Sequence, residues 1–311
     1  MRPGRLRPNT MKFKLLLLAF PVMASLLLAQ ESTFKLNVNV DLTEVHVSVT
    51  DEKDHPVGNL IKENFRLFED RKEQQITVFK YEDIPVSLGL VVDNSRSIEP
   101  RKQRLDTAAL SFVRKGNADD ETFIVHFDDE PRLSQEFTDS IPLLEDTLAR
   151  MKPYGQTAIY DALILALGQM DKAKYTKRVI LLITDGVDNS SKHTLSEAIE
   201  AAKRSSVAIY TVGLLSVSGG QKAEDSLIRL AEVSGGHAYF PNDVDEARTI
   251  MERVAKDLRE QYTLGYFPTN ALRNGAWRSI RVEVAPPLGR RPVPRLNANY
   301  RHGYYAPTDS N

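Results

Sequence analysis

The chain has no cysteine among its 311 residues, which excludes disulfides, thiolate zinc sites and cysteine nucleophiles in one step. Other absences narrow the chemistry further. The six histidines are scattered and form no H-E-x-x-H, and no G-x-S-x-G marks a nucleophile on a strand-to-helix turn. His46 and His126 fall inside strand patterns, where packing is the expected role. Gly219-Gly220-Gln221-Lys222 lacks the spacing and the following hydroxyl of a phosphate loop and reads as a plain loop, and Gly235-Gly236 reads as a turn. Beyond the N-terminus, no segment is apolar over 18 residues or more.

The N-terminus itself is distinctive. Arg2, Arg5, Arg7, Lys12 and Lys14 precede the apolar stretch Leu15 to Leu28, which ends at Ala29-Gln30. Residues 1–29 therefore read as a Sec-type signal peptide, with Met11 a second candidate start. The stretch contains Pro21 and is shorter than the roughly 20 residues of a membrane-spanning helix. The expected location is secreted or periplasmic, without a transmembrane segment after cleavage; an uncleaved N-terminal anchor is the alternative. Cleavage would leave 36 basic against 42 acidic residues, a balance that argues against a nucleic-acid partner.

From Val86 to Gln261, short apolar runs alternate with helical periodicity, the pattern of an α/β, doubly wound, mostly parallel sheet. Expected strands are Leu88 to Asp93, Thr122 to Phe127, Arg178 to Thr184, Val207 to Val212 and His237 to Phe240. Pro131 to Phe137 reads as an added edge strand. Leu105, Ala108, Ala109, Phe112 and Val113 mark one helix, and Ile159, Ala162, Leu163, Ala166, Leu167 and Met170 another. Thr194 with Glu197 is a capping box, and Asp243 with Glu246 resembles one.

The flanks read differently. Alternation from Leu36 to Leu42 continues out of phase through Val45, Val47 and Val49, and Arg66 to Glu69 with Gln75 to Phe79 reads as a hairpin around Asp70-Arg71-Lys72-Glu73. Tyr262 to Phe267 and Ile280 to Val284 are strand-like as well. Neither flank alone has enough strands to bury a core. The expected organisation is a β segment at 30–85, the α/β domain at 86–261, and a C-terminal β segment at 262–311 that packs with the first as a small β-sandwich.

The residues that point to function are oxygen-bearing. The run Leu88-Gly89-Leu90-Val91-Val92 ends in Asp93-Asn94-Ser95-Arg96-Ser97, a D-x-S-x-S set delivered to the rim of a sheet, where open α/β sheets bind ligands. Gly155-Gln156-Thr157 and Thr184-Asp185-Gly186 stand at comparable strand and helix ends. Two carboxylates and three hydroxyls suit a hard divalent cation, Mg²⁺ or Mn²⁺, with one coordination position left over. Taken singly, Asp93 and Ser95 read as turn and N-cap residues of the following helix, and it is the three segments together that point to a metal site.

These motifs resemble the von Willebrand factor type A domain, whose metal-ion-dependent adhesion site is matched by Asp93, Ser95, Ser97, Thr157 and Asp185; Gly155 to Leu163 is similar to that family's form too. The resemblance implies a Rossmann-like fold with one antiparallel edge strand and Mg²⁺ held at the top of the sheet. The segments Phe65 to Asp70, Gln261 to Tyr266 and Arg301 to Tyr305 are similar to an exported bacterial subgroup, the von Willebrand factor A-related domains. The expectation is a non-enzymatic, Mg²⁺-dependent adhesion module that captures an Asp or Glu side chain of a protein partner. Arg96, Ile98, Tyr154 to Gln156 and Val187 to Ser191 would set specificity. A scaffold with a structural metal is the rival. A metal-dependent hydrolase of the haloacid dehalogenase type would need a second carboxylate where Ser95 stands.

Overall fold

In this computed structural model, residues 41–53, 55–214, 220–287 and 295–308 are described. The signal-peptide expectation and the alternation from Leu36 to Val40 lie outside them. The N-terminal flank supplies β1 (Thr43–Thr50), β2 (Phe65–Glu69), β3 (Lys72–Gln74) and β4 (Ile76–Tyr81). The α/β region follows with β5 (Ser87–Asp93), α1 (Lys102–Arg114), β6 (Glu121–Phe127), β7 (Pro131–Thr138), α2 (Ile141–Arg150), α3 (Ile159–Gln169), β8 (Arg178–Thr184) and α4 (Leu195–Arg204). It continues through β9 (Val207–Gly213), α5 (Gly220–Ser234), β10 (Ala238–Tyr239) and α6 (Val244–Arg259). The C-terminal flank holds β11 (Tyr262–Tyr266), β12 (Trp277–Val284), β13 (Asn297–Asn299) and β14 (Gly303–Tyr305).

The central sheet has the order β10-β9-β8-β5-β6-β7, parallel throughout except for β7. Its strands read as continuous apolar runs because helices cover both faces. On β5, Leu88, Leu90 and Val92 join the core under α1, α2 and α6, whereas Val91 joins the core under α3, α4 and α5. Gly89 is required between them, since a Cβ there would lie 2.5 Å from the Phe123 ring. Thr194 and Glu197 form the expected capping box at α4. Gly220 to Lys222, expected as a loop, instead opens α5; the apolar face of Ala223, Leu227 and Leu230 carries helical periodicity back into that turn.

The flanks pair with each other. One antiparallel sheet has the order β13-β1-β11-β4 and the other β14-β12-β2-β3. Val45, Val47 and Val49 of β1 share a core with Leu67 of β2 and with Ile280 and Val282 of β12, so the sheets pack face to face. The expected hairpin needs correction. The turn is two residues only, Asp70 and Arg71 at φ 48 and 68, the left-handed pair that a tight hairpin demands. Lys72 and Glu73 therefore belong to β3, paired with β2. The segment read as its partner, β4, crosses to the other sheet and pairs with β11. Gln74 anchors the crossover by exchanging hydrogen bonds with Thr269 at 3.1 and 3.0 Å.

Candidate functional site: an oxygen cluster at the top of the sheet

The strand order reverses between β5 and β8, where the connections leave the sheet in opposite directions, and the carboxyl ends of such strands are where open α/β sheets bind ligands. Asp93 is the last residue of β5, and Asp185 directly follows β8. Thr157 precedes α3. The two carboxylates stand where the apolar runs of β5 and β8 stop, and Thr157 stands in the segment that leads into α3.

Four of the five sequence-predicted residues form one hydrogen-bonded chain. The Ser97 hydroxyl donates to Asp185 Oδ1 at 2.7 Å and lies 3.0 Å from Ser95 Oγ. The Ser95 amide donates to Asp93 Oδ1 at 2.8 Å. Ser95 stands at the N-cap position of a short 3₁₀ turn, yet its side chain makes no capping bond; its hydroxyl turns to the cluster instead. The fifth residue, Thr157, lies against the Asp185-Gly186 segment, since a Cβ on Gly186 would meet its Oγ1 at 3.1 Å. Asp93 and Thr157 are buried, and Ser97 is exposed, so the cluster opens to solvent on the Ser97 side.

Burial pushes the Asp93 carboxyl up to about 6; hydrogen bonds from Ser95 and Thr184 oppose the shift, and the nearby Asp185 charge adds to it. Two near-buried carboxylates at one rim are costly unless a cation compensates them. Arg101 partly does so, donating from NH1 to Asp185 Oδ2 at 3.0 Å. Among the described residues, Asp93 has no such partner. Among the described residues no group of three or more His, Asp or Glu forms a metal cluster. The donor set is instead two carboxylates and three hydroxyls, all oxygen, and it fits a hard divalent cation better than a soft one.

Several supporting residues were not singled out from the sequence. Thr184 donates to Asp93 Oδ2 at 2.6 Å and orients that carboxylate; its place inside the Thr184-Asp185-Gly186 motif was the available signal. Arg101 carries no local sequence signal, because only the fold brings it to Asp185. Asn189 accepts from the Thr157 amide at 2.9 Å, and Asp188 accepts from Tyr160 N at 3.1 Å. Much of the Val187 to Ser191 loop, read as specificity-setting, thus braces the Thr157 segment, while Val187 is exposed. Asp129 accepts from Gln156 N at 2.8 Å and faces Gly155, whose φ is +69. Tyr154 is 60% exposed and Arg96 is exposed beside it in this rim.

A family model described as von Willebrand factor type A domain matches residues 88–253, a little over half of the chain. The chain belongs to the von Willebrand factor type A domain family. Solved structures share the fold. A mussel byssus protein, proximal thread matrix protein 1 with a zinc-occupied MIDAS motif, is 21% identical with a TM-score of 0.52; the match covers 61% of this chain and 50% of that one. This chain therefore accounts for about half of the mussel protein. BatB from Bacteroides thetaiotaomicron is 18% identical over 55% of this chain and 98% of that one, with a TM-score of 0.45. The vWF domain of the type V pili tip protein Mfa5 from Porphyromonas gingivalis is 15% identical over 56% and 95%, with a TM-score of 0.49. A search of curated proteins finds no match. Among the described residues, no helix is long and apolar enough to cross a membrane.

Proposed function

We propose that this chain is an exported, non-enzymatic adhesion module in which Asp93, Ser95, Ser97, Thr157 and Asp185 hold a divalent cation, Mg²⁺ first among candidates. The observation that carries this reading is the continuous hydrogen-bonded chain Asp93-Ser95-Ser97-Asp185 at the switch point of the sheet, with Asp93 buried and, among the described residues, lacking a cationic partner. The cation, when bound, supplies an electrophilic position for a carboxylate of a protein partner. Asp93 and Asp185 neutralise charge at the site, and Thr184 and the Ser95 amide hold Asp93 in place. Ser97 keeps the cluster open to solvent. Around it, Arg96 offers positive charge and Tyr154 and Val187 offer apolar contact, a rim suited to an Asp or Glu in an otherwise apolar ligand surface.

Export rests on the basic and apolar pattern of residues 1–29. The proposed organisation is an adhesion domain over residues 86–261, carried on a sandwich made from 30–85 and 262–311.

Calorimetric titration of the protein with Mg²⁺, Mn²⁺ and Zn²⁺, beside Asp93→Ala, tests the proposal. Zn²⁺ is included because the mussel protein's motif is zinc-occupied. Saturable one-site binding that disappears in Asp93→Ala is the expected result. Absence of binding in the unaltered protein would remove the metal-dependent reading and favour a scaffold.

A further inference from the structure

A cavity lies at the opposite, amino end of the central sheet, where the flanking strands meet β8 and β9. It is a cleft of about 570 Å³, within the range of roughly 300–1,000 Å³ typical of small-molecule sites. Four arginines line it: Arg178, Arg273, Arg278 and Arg301. Two are neutralised, Arg273 by Asp41 at 2.6 Å and Arg278 by the buried Glu69 at 3.1 Å.

Among the described residues, the other two have no carboxylate partner. Arg301 is half-buried and donates only to neutral acceptors, the Gly303 carbonyl at 2.9 Å and the Ser206 hydroxyl at 3.1 Å. Arg178 has a single long bond, from Nε to the Tyr175 carbonyl at 3.4 Å. Glu44 lines the same cleft and forms no ion pair with either arginine. Behind them Lys177 is 3% exposed, and its ammonium reaches the Leu258 carbonyl. His46, bonded through Nδ1 to Thr263, adds no compensating charge; burial first, then Lys177 and Arg301, push it down to about 4. Burial pushes the Arg301 guanidinium down as well. Unpaired cations in a partly desolvated cleft are costly. Arg301 has a structural use in tying β14 to Ser206. Arg178 has almost none.

We infer that this cleft binds a small organic anion, a carboxylate or phosphate ester whose oxygens meet Arg178 and Arg301. Its carbon skeleton lies on Leu42, Pro268, Leu272 and Pro307, which line the same space. A planar guanidinium pair presents the forked donors that such oxyanions accept. Tyr304 and Tyr305 line the wall with their hydroxyls already donated to Glu69 and Glu200 at 2.7 Å, so the cleft combines apolar surface with few free polar groups, as ligand sites do.

The full chain in the Asp93→Ala background, in buffer freed of metal by chelating resin, separates this site from the oxygen cluster. Calorimetry with hexanoate and hexyl phosphate is compared with hexanol and with inorganic phosphate. The only tryptophan of the chain, Trp277, packs on Tyr305 with ring centroids 5.0 Å apart, so its fluorescence reports occupancy of the cleft. Saturable binding of either organic anion, with a matching Trp277 response and no binding of hexanol, is expected. Arg178→Gln should weaken that binding by about tenfold or more, the worth of charge-assisted hydrogen bonds. Arg178→Gln is the primary variant because it forfeits one weak bond and keeps the fold; Arg301→Gln is the second. Binding of inorganic phosphate alone, binding of none of the probes, or affinity unchanged in Arg178→Gln would overturn the inference.

Discussion

At the scale of single residues, the chemistry of this chain rests on positions whose neighbours leave little latitude. Gly155 has φ +69, and a Cβ there would lie 2.6 Å from an Asp129 oxygen. Alanine would strain the backbone and displace the Asp129 carboxylate that accepts from the amide of Gln156, the residue directly before Thr157. Gly155→Ala should cost about 1–2 kcal/mol in denaturant unfolding and weaken Mg²⁺ binding more than it weakens the fold. An unchanged metal affinity would show that the loop tolerates the shift. His46 governs a pH effect at the other end of the sheet. Its folded value near 4 lies below the ordinary 6.5, so between those pH values the unfolded chain binds the extra proton. Its contribution to stability is full above about pH 6.5 and is lost as pH falls toward 4. Melting of His46→Gln should show a shallower loss of stability across that window than the unaltered chain.

At the scale of elements, helix starts and strand ends determine which residues become available for chemistry. The α4 box is complete: Thr194 Oγ1 accepts from the Glu197 amide at 3.3 Å, and Glu197 accepts from the Thr194 amide at 2.7 Å. Thr194→Ala should therefore lower stability by about 1 kcal/mol. Metal binding should stay intact, because Thr194 and Glu197 bond to each other and to none of the five proposed ligands. A loss of Mg²⁺ affinity in this variant would mean that the His193-Asp161 contact at 2.7 Å transmits strain to α3 and Thr157. The strands that carry the oxygen cluster were legible in the sequence because both faces of the central sheet are buried, which writes a continuous apolar run with an abrupt polar end. The β2–β3 turn was misread by two residues. Its left-handed pair is Asp70-Arg71, and arginine in that conformation is not a residue that sequence patterns flag.

At the scale of the whole molecule, the two ends of the chain complete each other. β11 lies between β1 and β4, and β12 between β14 and β2, so each flanking sheet needs strands from both sides of the α/β region. A chain lacking residues 30–84 should leave residues 262–311 without the β1, β2 and β4 strands they pair with. Limited proteolysis is expected to remove them while the α/β region persists. Protection of the C-terminal segment in that shortened chain would mean that its contacts with the α/β region, such as Asn299 Nδ2 to the Gly236 carbonyl at 3.1 Å, suffice. The same arrangement gives the molecule two separate chemical faces, an oxygen cluster at the carboxyl end of the sheet and an arginine-lined cleft at the amino end.

The sequence by itself determined the local part of this architecture: the alternating strands and helices, the polar residues at which apolar runs stop, and the oxygen types at 93, 95, 97, 157 and 185. These are legible because burial and periodicity act over a few neighbouring residues. Only the tertiary structure decided which strands pair. His46 meets Thr263 across 217 residues, and no local pattern names a partner so distant. Tertiary packing also placed Arg101 on Asp185 and Thr184 on Asp93, and it left Arg178 and Arg301 at a cleft where, among the described residues, neither forms an ion pair. Each of these is a relation between separate elements, so it arises only when the sheets close around their cores.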